Sequence, residues 1–250
     1  LIDIQIEVSR ITDSLKLFLT ESRTLDFDDK LLRELSIFNA KYFPVPEYKY
    51  KVKRKQIDED EYGKDKEKQF LPIYEKLICQ SEIQLKQDKD ESFLDKWYTK
   101  QIRDEIHYVH DEISKINNPD TKNILNVILS RTIRSCRATT HADLATLKEP
   151  ITATYYCGKH GKICKPLFSI LKWWESYTKD TIKRLVDYDR VKKDTYHVCL
   201  TGDSRTIDVL DELNALNHGF AKLVKKKKIK GIFSSPPYVG LIDYHEQHAY

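Results

Sequence analysis

Four consecutive residues near the end of the chain have the types and order expected of a pocket wall: Ser235, Pro236, Pro237 and Tyr238. They follow residues 229–233, an apolar segment that predicts a buried strand. Two successive prolines cannot continue a strand ladder, because they lack N–H groups and have a fixed φ. A serine hydroxyl and a proline carbonyl could therefore accept hydrogen bonds from the amino group of a planar substrate, while the tyrosine ring stacks on its face. The alternative interpretation is a strand end followed by a rigid turn, with Tyr238 covering the core.

The residues before this motif predict the elements that would position it. Residues 196–200 and 229–233 each have the apolar pattern of a strand, and residues 206–226 have that of a helix between them. A strand, a helix and a strand make a right-handed crossover, which predicts two parallel strands of an α/β sheet. Ligands of such sheets bind at the carboxyl ends of the strands. The turn at Gly202 and Asp203, after the first strand, would then share one sheet edge with the proline motif.

Three sequence features together resemble the DNA amino-methyltransferases of restriction–modification systems. They are the Ser-Pro-Pro-Tyr motif, the Gly-Asp-Ser-Arg turn at 202–205, and the downstream residues 240–248 with their aspartate and two histidines. The resemblance is specific over about residues 196–250. It implies part of a Rossmann-like sheet of the kind that S-adenosylmethionine-dependent methyltransferases have, preceded by a mainly helical domain. It also implies that the enzyme transfers a methyl group from S-adenosyl-L-methionine to an exocyclic amine of a base in double-stranded DNA.

The resemblance assigns roles to individual residues. Four residues would be catalytic, holding the flipped base and its amino group: Ser235, Pro236, Pro237 and Tyr238. Three would lie beside the cofactor: Gly202, Asp203 and Ser234. A serine in the first position of the motif is commoner in enzymes that methylate N4 of cytosine, and an aspartate is commoner in those that methylate N6 of adenine. We therefore expect N4 of cytosine as the target, with N6 of adenine as the alternative.

One landmark of that family is absent from the sequence. The family has a Phe-x-Gly-x-Gly loop that cradles the methionine part of the cofactor, and no two of the 7 glycines here have the spacing Gly-x-Gly. We expect this loop in a missing segment of the chain or in a second subunit, which would make the enzyme incomplete as given. A different class of protein also fits this absence: a non-catalytic DNA-binding or specificity subunit.

A second group of residues has the types expected of a metal site. The sequence contains Cys157-x2-His160-x3-Cys164, with Cys136 and His141 earlier in the chain. Four ligands from these five would form a tetrahedral zinc site. We expect the set Cys136, Cys157, His160 and Cys164, and a structural role for the zinc, because methyl transfer needs no metal. The alternative is a set of reduced, partly buried cysteines without a metal.

The composition narrows the class of protein. Only 7 Gly and 8 Pro in 250 residues argue against a loop-rich all-β protein and favour long helices. No apolar run is long enough for a membrane span, so no membrane partner is expected. Five cysteines, an odd number, favour a reducing compartment, and the resemblance implies the cytoplasm of a prokaryote. Positive charge is concentrated after residue 130, as on a face that binds a polyanion.

These patterns predict three segments. Residues 1–135 would be a helical domain that helps to recognise DNA, residues 136–165 a basic, Cys/His-rich knuckle, and residues 166–250 part of the methyltransferase core. Within the first segment, the charge run at 47–69 predicts a solvated connector between helices. The basic knuckle would carry Arg134, Arg137, Lys159, Lys162 and Lys165 at or near its surface.

Overall fold

The computed structural model describes four ranges of the 250-residue chain: 1–86, 92–141, 149–203 and 205–233. The described residues divide into two compact units, the first from Leu1 to Leu185 and the second beginning at Val186. They are mainly helical and contain one antiparallel sheet of two strands. The first unit includes the basic knuckle, and the division into functional segments at residues 135 and 165 stays a prediction.

The first of two apolar cores in this unit lies between three amphipathic helices: α1 (Ile2–Glu21), α6 (Lys100–Ser114) and α7 (Pro119–Ser135). The single-turn helix α5 (Phe93–Trp97) packs on α6. Helix α7 begins where the side chain of Asn118 accepts hydrogen bonds from the first free backbone N–H groups, with Pro119 in the first turn. Trp174 of α8 (Leu171–Val191) completes the core, and its indole N–H donates to Thr12 Oγ1 at 2.9 Å.

A second core forms between helices α2 (Thr24–Tyr42), α3 (Glu47–Lys53) and α4 (Glu59–Ser81). The prediction of a solvated connector at 47–69 is wrong, because this charge run forms α3 and the first half of α4. Asp58 accepts a hydrogen bond from the backbone N–H of Glu61 at 2.9 Å, and the acidic first turn of α4 complements the helix dipole. Burial of Phe70 on the inner face of α4 then stabilises a helix whose outer face is highly charged.

The sheet is a short hairpin of β1 (Tyr155–Cys157) and β2 (Lys162–Cys164), with Tyr156 opposite Ile163. The hairpin lies against α2 and α4. The side-chain amide of Asn39 continues the strand pairing, because it accepts from the backbone N–H of Ile163 and donates to its carbonyl, both at 3.0 Å. Helix α4 holds the other strand, where Glu67 accepts from the backbone N–H of Tyr156 at 2.8 Å.

The second unit contains helices α9 (Val209–Leu216) and α10 (His218–Lys227). They replace the single helix predicted at 206–226, because the chain breaks at Asn217, whose side chain caps α10 by accepting from the N–H of Phe220 at 2.9 Å. None of the described helices is long and apolar enough to cross a lipid bilayer.

The two strands predicted in the second unit are not formed. The structure describes residues 196–200 and 229–233 without strand pairing, and Phe233 is fully exposed. The physical reason is that parallel strands need both faces covered, and two strands alone are marginal in water. The predicted α/β sheet is therefore absent from the described part of the chain, which is helical with one small hairpin.

Candidate functional site

The proposed catalytic motif lies outside the described residues. This applies to five of the predicted site residues: Ser234, Ser235, Pro236, Pro237 and Tyr238. Their roles stay predictions from the sequence.

The turn at Gly202 and Asp203 is described, and its carboxylate is held in place by Arg205. The backbone N–H of Arg205 donates to Asp203 Oδ1 at 3.0 Å, and its guanidinium Nη2 donates to Oδ2 at 2.6 Å. The hydrogen bonds from Arg205 lower the pKa of Asp203, so the carboxylate is ionised at neutral pH. The backbone carbonyl of Asp203 accepts from the N–H of Ile207 at 2.8 Å, which closes the turn.

Gly202 packs closely against the side chain of Ile207. A Cβ at this position would lie 2.8 Å from Cδ1 of Ile207, so a larger residue would require that side chain to shift. The turn therefore presents a bare backbone at Gly202 beside an ionised acceptor at Asp203. Such a turn can accept hydrogen bonds from amino or hydroxyl groups of a ligand.

The structure brings together a second set of side chains, the cluster of His141, Cys157, His160 and Cys164. One ligand atom from each of the four lies within 4.8 Å of all the others. Three of the separations are between sulfur and the Nδ1 nitrogen of an imidazole. They are 3.4 Å from His160 to Cys164, 3.6 Å from His160 to Cys157, and 3.8 Å from His141 to Cys157. Two thiols and two imidazoles converge here on one small volume.

The hairpin positions three of the four side chains. In its register Cys157 faces Lys162 and Cys164 faces Tyr155, so both cysteines project from one face of the hairpin. His160 lies in the connecting turn, where its N–H and that of Gly161 both donate to the carbonyl of Cys157, at 3.0 and 2.7 Å. Gly161 has a φ of +61°, a conformation that glycine adopts without strain.

His141 reaches the cluster from the segment that follows α7. That segment is tied to the rest of the unit by backbone hydrogen bonds of Ala138, which donates to Trp97 and accepts from Ile151, each at 2.7 Å. The hydroxyl of Tyr155 then accepts from the backbone N–H of His141 at 3.2 Å and lies 2.8 Å from its Nδ1. The rings of His141 and His160 meet edge to face, with centroids 4.5 Å apart.

Cys136 is not part of this cluster, which corrects the ligand set expected from the sequence. Cys136 ends α7, where its N–H donates to the carbonyl of Ile133 at 3.0 Å, and its side chain is buried in the first core. Burial raises the pKa of its thiol, and the nearby charge of Glu105 raises it further. The helix end thus fixes Cys136 in an apolar place, and His141 is the fourth member of the cluster.

The surroundings of His141 and Cys164 favour the uncharged forms of these two side chains. Burial lowers the pKa of His141, and the charges of His160, Lys159 and Lys162 lower it further. Burial raises the pKa of Cys164 to about 12, and the neighbouring Cys157 adds to the rise. A thiolate at Cys164 therefore needs a cation to stabilise it.

The basic residues in or next to the basic knuckle divide into two kinds. Arg134, Lys159 and Lys162 are exposed. Lys165 is instead half-buried and paired with Asp28, and Arg137 is buried. The positive face that the sequence predicts therefore consists of fewer side chains than expected.

The chain is 45% identical over 231 residues to the Type II methyltransferase M.MjaII of Methanocaldococcus jannaschii. This chain is similar to a Type II methyltransferase. The resemblance to restriction–modification methyltransferases is thereby confirmed. No family model matches the chain, and no solved structure matches it.

The extent of the similarity adds two facts. It covers 89% of this chain, so it includes most of the helical residues 1–135, where the sequence motifs gave no resemblance. It covers 43% of the methyltransferase, so the chain spans less than half of that relative's length.

Proposed function

We propose that this chain is part of a DNA methyltransferase that transfers a methyl group from S-adenosyl-L-methionine to the exocyclic N4 of cytosine. The observation that carries this proposal is the 45% identity to a Type II methyltransferase over 89% of the chain. The choice of N4 rests on the serine that begins the Ser-Pro-Pro-Tyr motif. The proposal places the protein with double-stranded DNA in the cytoplasm of a prokaryote.

The motif residues have distinct tasks in this proposal. The amine of a nucleobase is a poor nucleophile, because its lone pair is delocalised into the ring. Ser235 Oγ and the carbonyl of Pro236 accept hydrogen bonds from the two N–H groups of this amine and favour a more pyramidal nitrogen. The rigid backbone of Pro237 holds these acceptors in place, and the ring of Tyr238 stacks on the base after it leaves the duplex, which offsets part of a cost of a few kcal/mol. Positioning and charge stabilisation, rather than a strong base, supply the rate.

The turn at 202–203 fits a place beside the cofactor. S-adenosyl-L-methionine, when bound, supplies a methyl group on a positively charged sulfur. Arg205 donates four hydrogen bonds to the two oxygens of Asp203, so the cofactor's polar groups would bind to this carboxylate by replacing some of them. The bare backbone of Gly202 leaves room for close approach, and Ser234 is the third residue proposed to contact the cofactor. The Rossmann-like sheet of this proposal needs further strands and the Gly-rich loop from a segment outside this sequence or from a second subunit.

The basic knuckle is proposed to contact DNA phosphates. Lys159 and Lys162 are exposed in the hairpin turn and at the start of β2, and Arg134 is exposed near the end of α7. Exposed cations of this kind position a protein on DNA without reading its sequence.

Methyl incorporation tests the proposal. The natural full-length protein that contains this sequence is incubated with double-stranded DNA and radiolabelled S-adenosyl-L-methionine, and label in the DNA is counted. We expect incorporation by the unchanged protein and by a control, Thr195→Ala, and markedly slower incorporation by Ser235→Ala. DNA binding without incorporation would contradict the proposal and favour the non-catalytic specificity subunit. Equal incorporation by Ser235→Ala would contradict the role of the motif.

A further inference from the structure

We propose that His141, Cys157, His160 and Cys164 bind one Zn²⁺ ion, which clamps the segment after α7 to the hairpin. This site goes beyond the proposed function and does not depend on it. The zinc would be structural, because four protein ligands leave no open position for a substrate or a water molecule.

The distances in the cluster match a tetrahedral zinc site. With Zn–S bonds of about 2.3 Å and Zn–N bonds of about 2.0 Å, sulfur and nitrogen at two corners of a tetrahedron are about 3.5 Å apart. The three sulfur–nitrogen separations in the cluster are 3.4, 3.6 and 3.8 Å. These three separations match a tetrahedral zinc site to within a few tenths of an ångström, and all the ligand atoms lie within 4.8 Å of one another.

The donor set selects zinc among common divalent ions. Two sulfur and two nitrogen donors in a tetrahedron suit Zn²⁺, whereas Mg²⁺ and Ca²⁺ take oxygen donors. Two thiolates neutralise the charge of Zn²⁺, and the imidazoles add none. The filled site would thus have no net charge, which suits the burial of Cys157 and Cys164 and the exposed cations of Lys159 and Lys162.

The hairpin that contains the cluster is short, and a bound metal would stabilise it. The hairpin has strands of three residues, and one face of it already packs on α2 and α4 through Ile163. A hairpin of this size is marginal without further support. Three of the four ligands come from the hairpin itself: Cys157 at the end of β1, His160 in the turn and Cys164 at the end of β2. The fourth, His141, comes from the segment after α7. A metal bound to all four ligands would hold the hairpin turn and the segment after α7 together.

Tyr155 has a defined part in this arrangement. Its hydroxyl lies 2.8 Å from Nδ1 of His141 and accepts from the backbone N–H of the same residue. When zinc takes the lone pair of Nδ1, the hydroxyl hydrogen turns away, and the hydrogen bond from the backbone N–H still holds His141 in place. The alternative to zinc is a cluster of thiols hydrogen-bonded to neutral imidazoles, with the same side chains and similar distances.

Metal analysis of the full-length protein distinguishes these two states. The protein is purified without chelators, its zinc content is measured by mass spectrometry, and the zinc is then replaced by Co²⁺ for absorption spectroscopy. We expect one zinc ion per chain, and cobalt bands typical of a tetrahedral site with thiolate ligands. Absence of both zinc and these bands would overturn the proposal, as would a disulfide between Cys157 and Cys164 in the protein purified under reducing conditions.

Variants test the ligand set. His160→Ala changes an exposed residue outside both apolar cores, and we expect it to weaken Co²⁺ binding by at least about tenfold, since even outer residues of metal sites have effects of 10- to 100-fold. Circular dichroism of the variant checks that its helices are retained. Two control variants replace the same residue types outside the cluster. His110→Ala removes an exposed histidine of α6, and Cys199→Ser removes an exposed cysteine of the second unit. Both should bind the metal as the unchanged protein does. Equal weakening in a control and in His160→Ala would overturn the assignment, and so would unchanged binding by His160→Ala.

Discussion

Gly63, in the first half of α4, lies directly against the ring of Tyr156 in β1. A Cβ on Gly63 would lie 2.5 Å from Cγ of that ring. The ring has little freedom to move away, because the Tyr156 hydroxyl donates to Glu59 at 2.8 Å and lies 2.9 Å from the hydroxyl of Tyr48. A glycine inside a helix thus allows the hairpin, with its Cys/His cluster, to lie on the helical part of the first unit.

We predict that Gly63→Ala destabilises the protein. In an open helix the same change stabilises by about 0.5–1 kcal/mol, because alanine is the better helix former. Here the extra methyl group overlaps the ring of Tyr156, and such overpacking costs about 1–3 kcal/mol. Urea denaturation measures the difference. Gly219→Ala in α10 is the control, since its Cβ would meet nothing nearer than 3.6 Å and should not lower stability. A Gly63→Ala protein as stable as the unchanged one would show that the hairpin does not rest on this contact.

Stability should fall as the pH rises from about 4.5 to about 8, through the ionisation of Glu105. Its Oε2 accepts from the backbone N–H of Ile170 at 2.7 Å and from Ser169 Oγ at 2.9 Å, but burial raises its pKa from 4.5 to about 8. In this pH range the unfolded chain has lost the proton and the folded protein has kept it, so folding is favoured below the range and disfavoured through it. The slope for one such group is about 1.4 kcal/mol per pH unit.

Glu105→Gln checks this assignment, because glutamine keeps the acceptor and cannot ionise. The free energy of unfolding, measured in urea at several pH values, should depend less on pH in the variant than in the unchanged protein. Parallel curves for the two proteins would place the pH dependence in other groups.

Ser235 and Tyr238 should affect different steps of methyl transfer in the full-length protein. Ser235→Ala removes an acceptor for the target amine, so it should lower turnover more than DNA affinity. Tyr238→Ala removes the stacking surface, which is worth about 1–3 kcal/mol per base, so it should weaken capture of the flipped base. Steady-state methylation and DNA binding, measured on both variants, separate the two effects. Unchanged methylation by both would refute these roles.

The exposed lysines of the basic knuckle should contribute to the salt dependence of DNA binding. Removing one lysine that neutralises a DNA phosphate reduces the slope of log affinity against log salt by about 0.9. We therefore predict a smaller slope for Lys159→Ala and for Lys162→Ala. Lys165→Ala is the matched control. Because Lys165 is paired with Asp28, this substitution should lower stability and leave the slope unchanged. A slope that falls only in the Lys165 variant would contradict this surface.

The helical character predicted for residues 1–135 agrees with the first core, and α1 shows the physical reason. Ile4, Val8 and Ile11 recur at helical intervals, and the structure buries all three in α1. The charge run at 47–69 misled the same approach, because its composition is that of a solvated segment. Its helix depends on a cap at Asp58 and on a buried face that includes Phe70, further along the chain.

The cluster was predictable only in part. Cys157, His160 and Cys164 belong to one hairpin, so their proximity follows from local spacing. The choice between Cys136 and His141 depends on where α7 ends and on which side chain the first core covers. The spacing of these residues in the sequence does not determine either of these properties. The burial of Glu105 could have been predicted from the sequence, since it lies one position before Ile106 and three after Ile102 on the apolar face of α6. The strands expected at 196–200 and 229–233 depend on partners that the described residues do not supply.

The methylated nucleoside shows whether an exocyclic amine of cytosine receives the methyl group. DNA methylated by the full-length protein is digested to nucleosides, which are separated and identified by mass spectrometry. We predict N4-methylcytosine. N6-methyladenine would contradict the choice of base, and C5-methylcytosine, formed on carbon rather than on an amine, would contradict methyl transfer to an amine altogether.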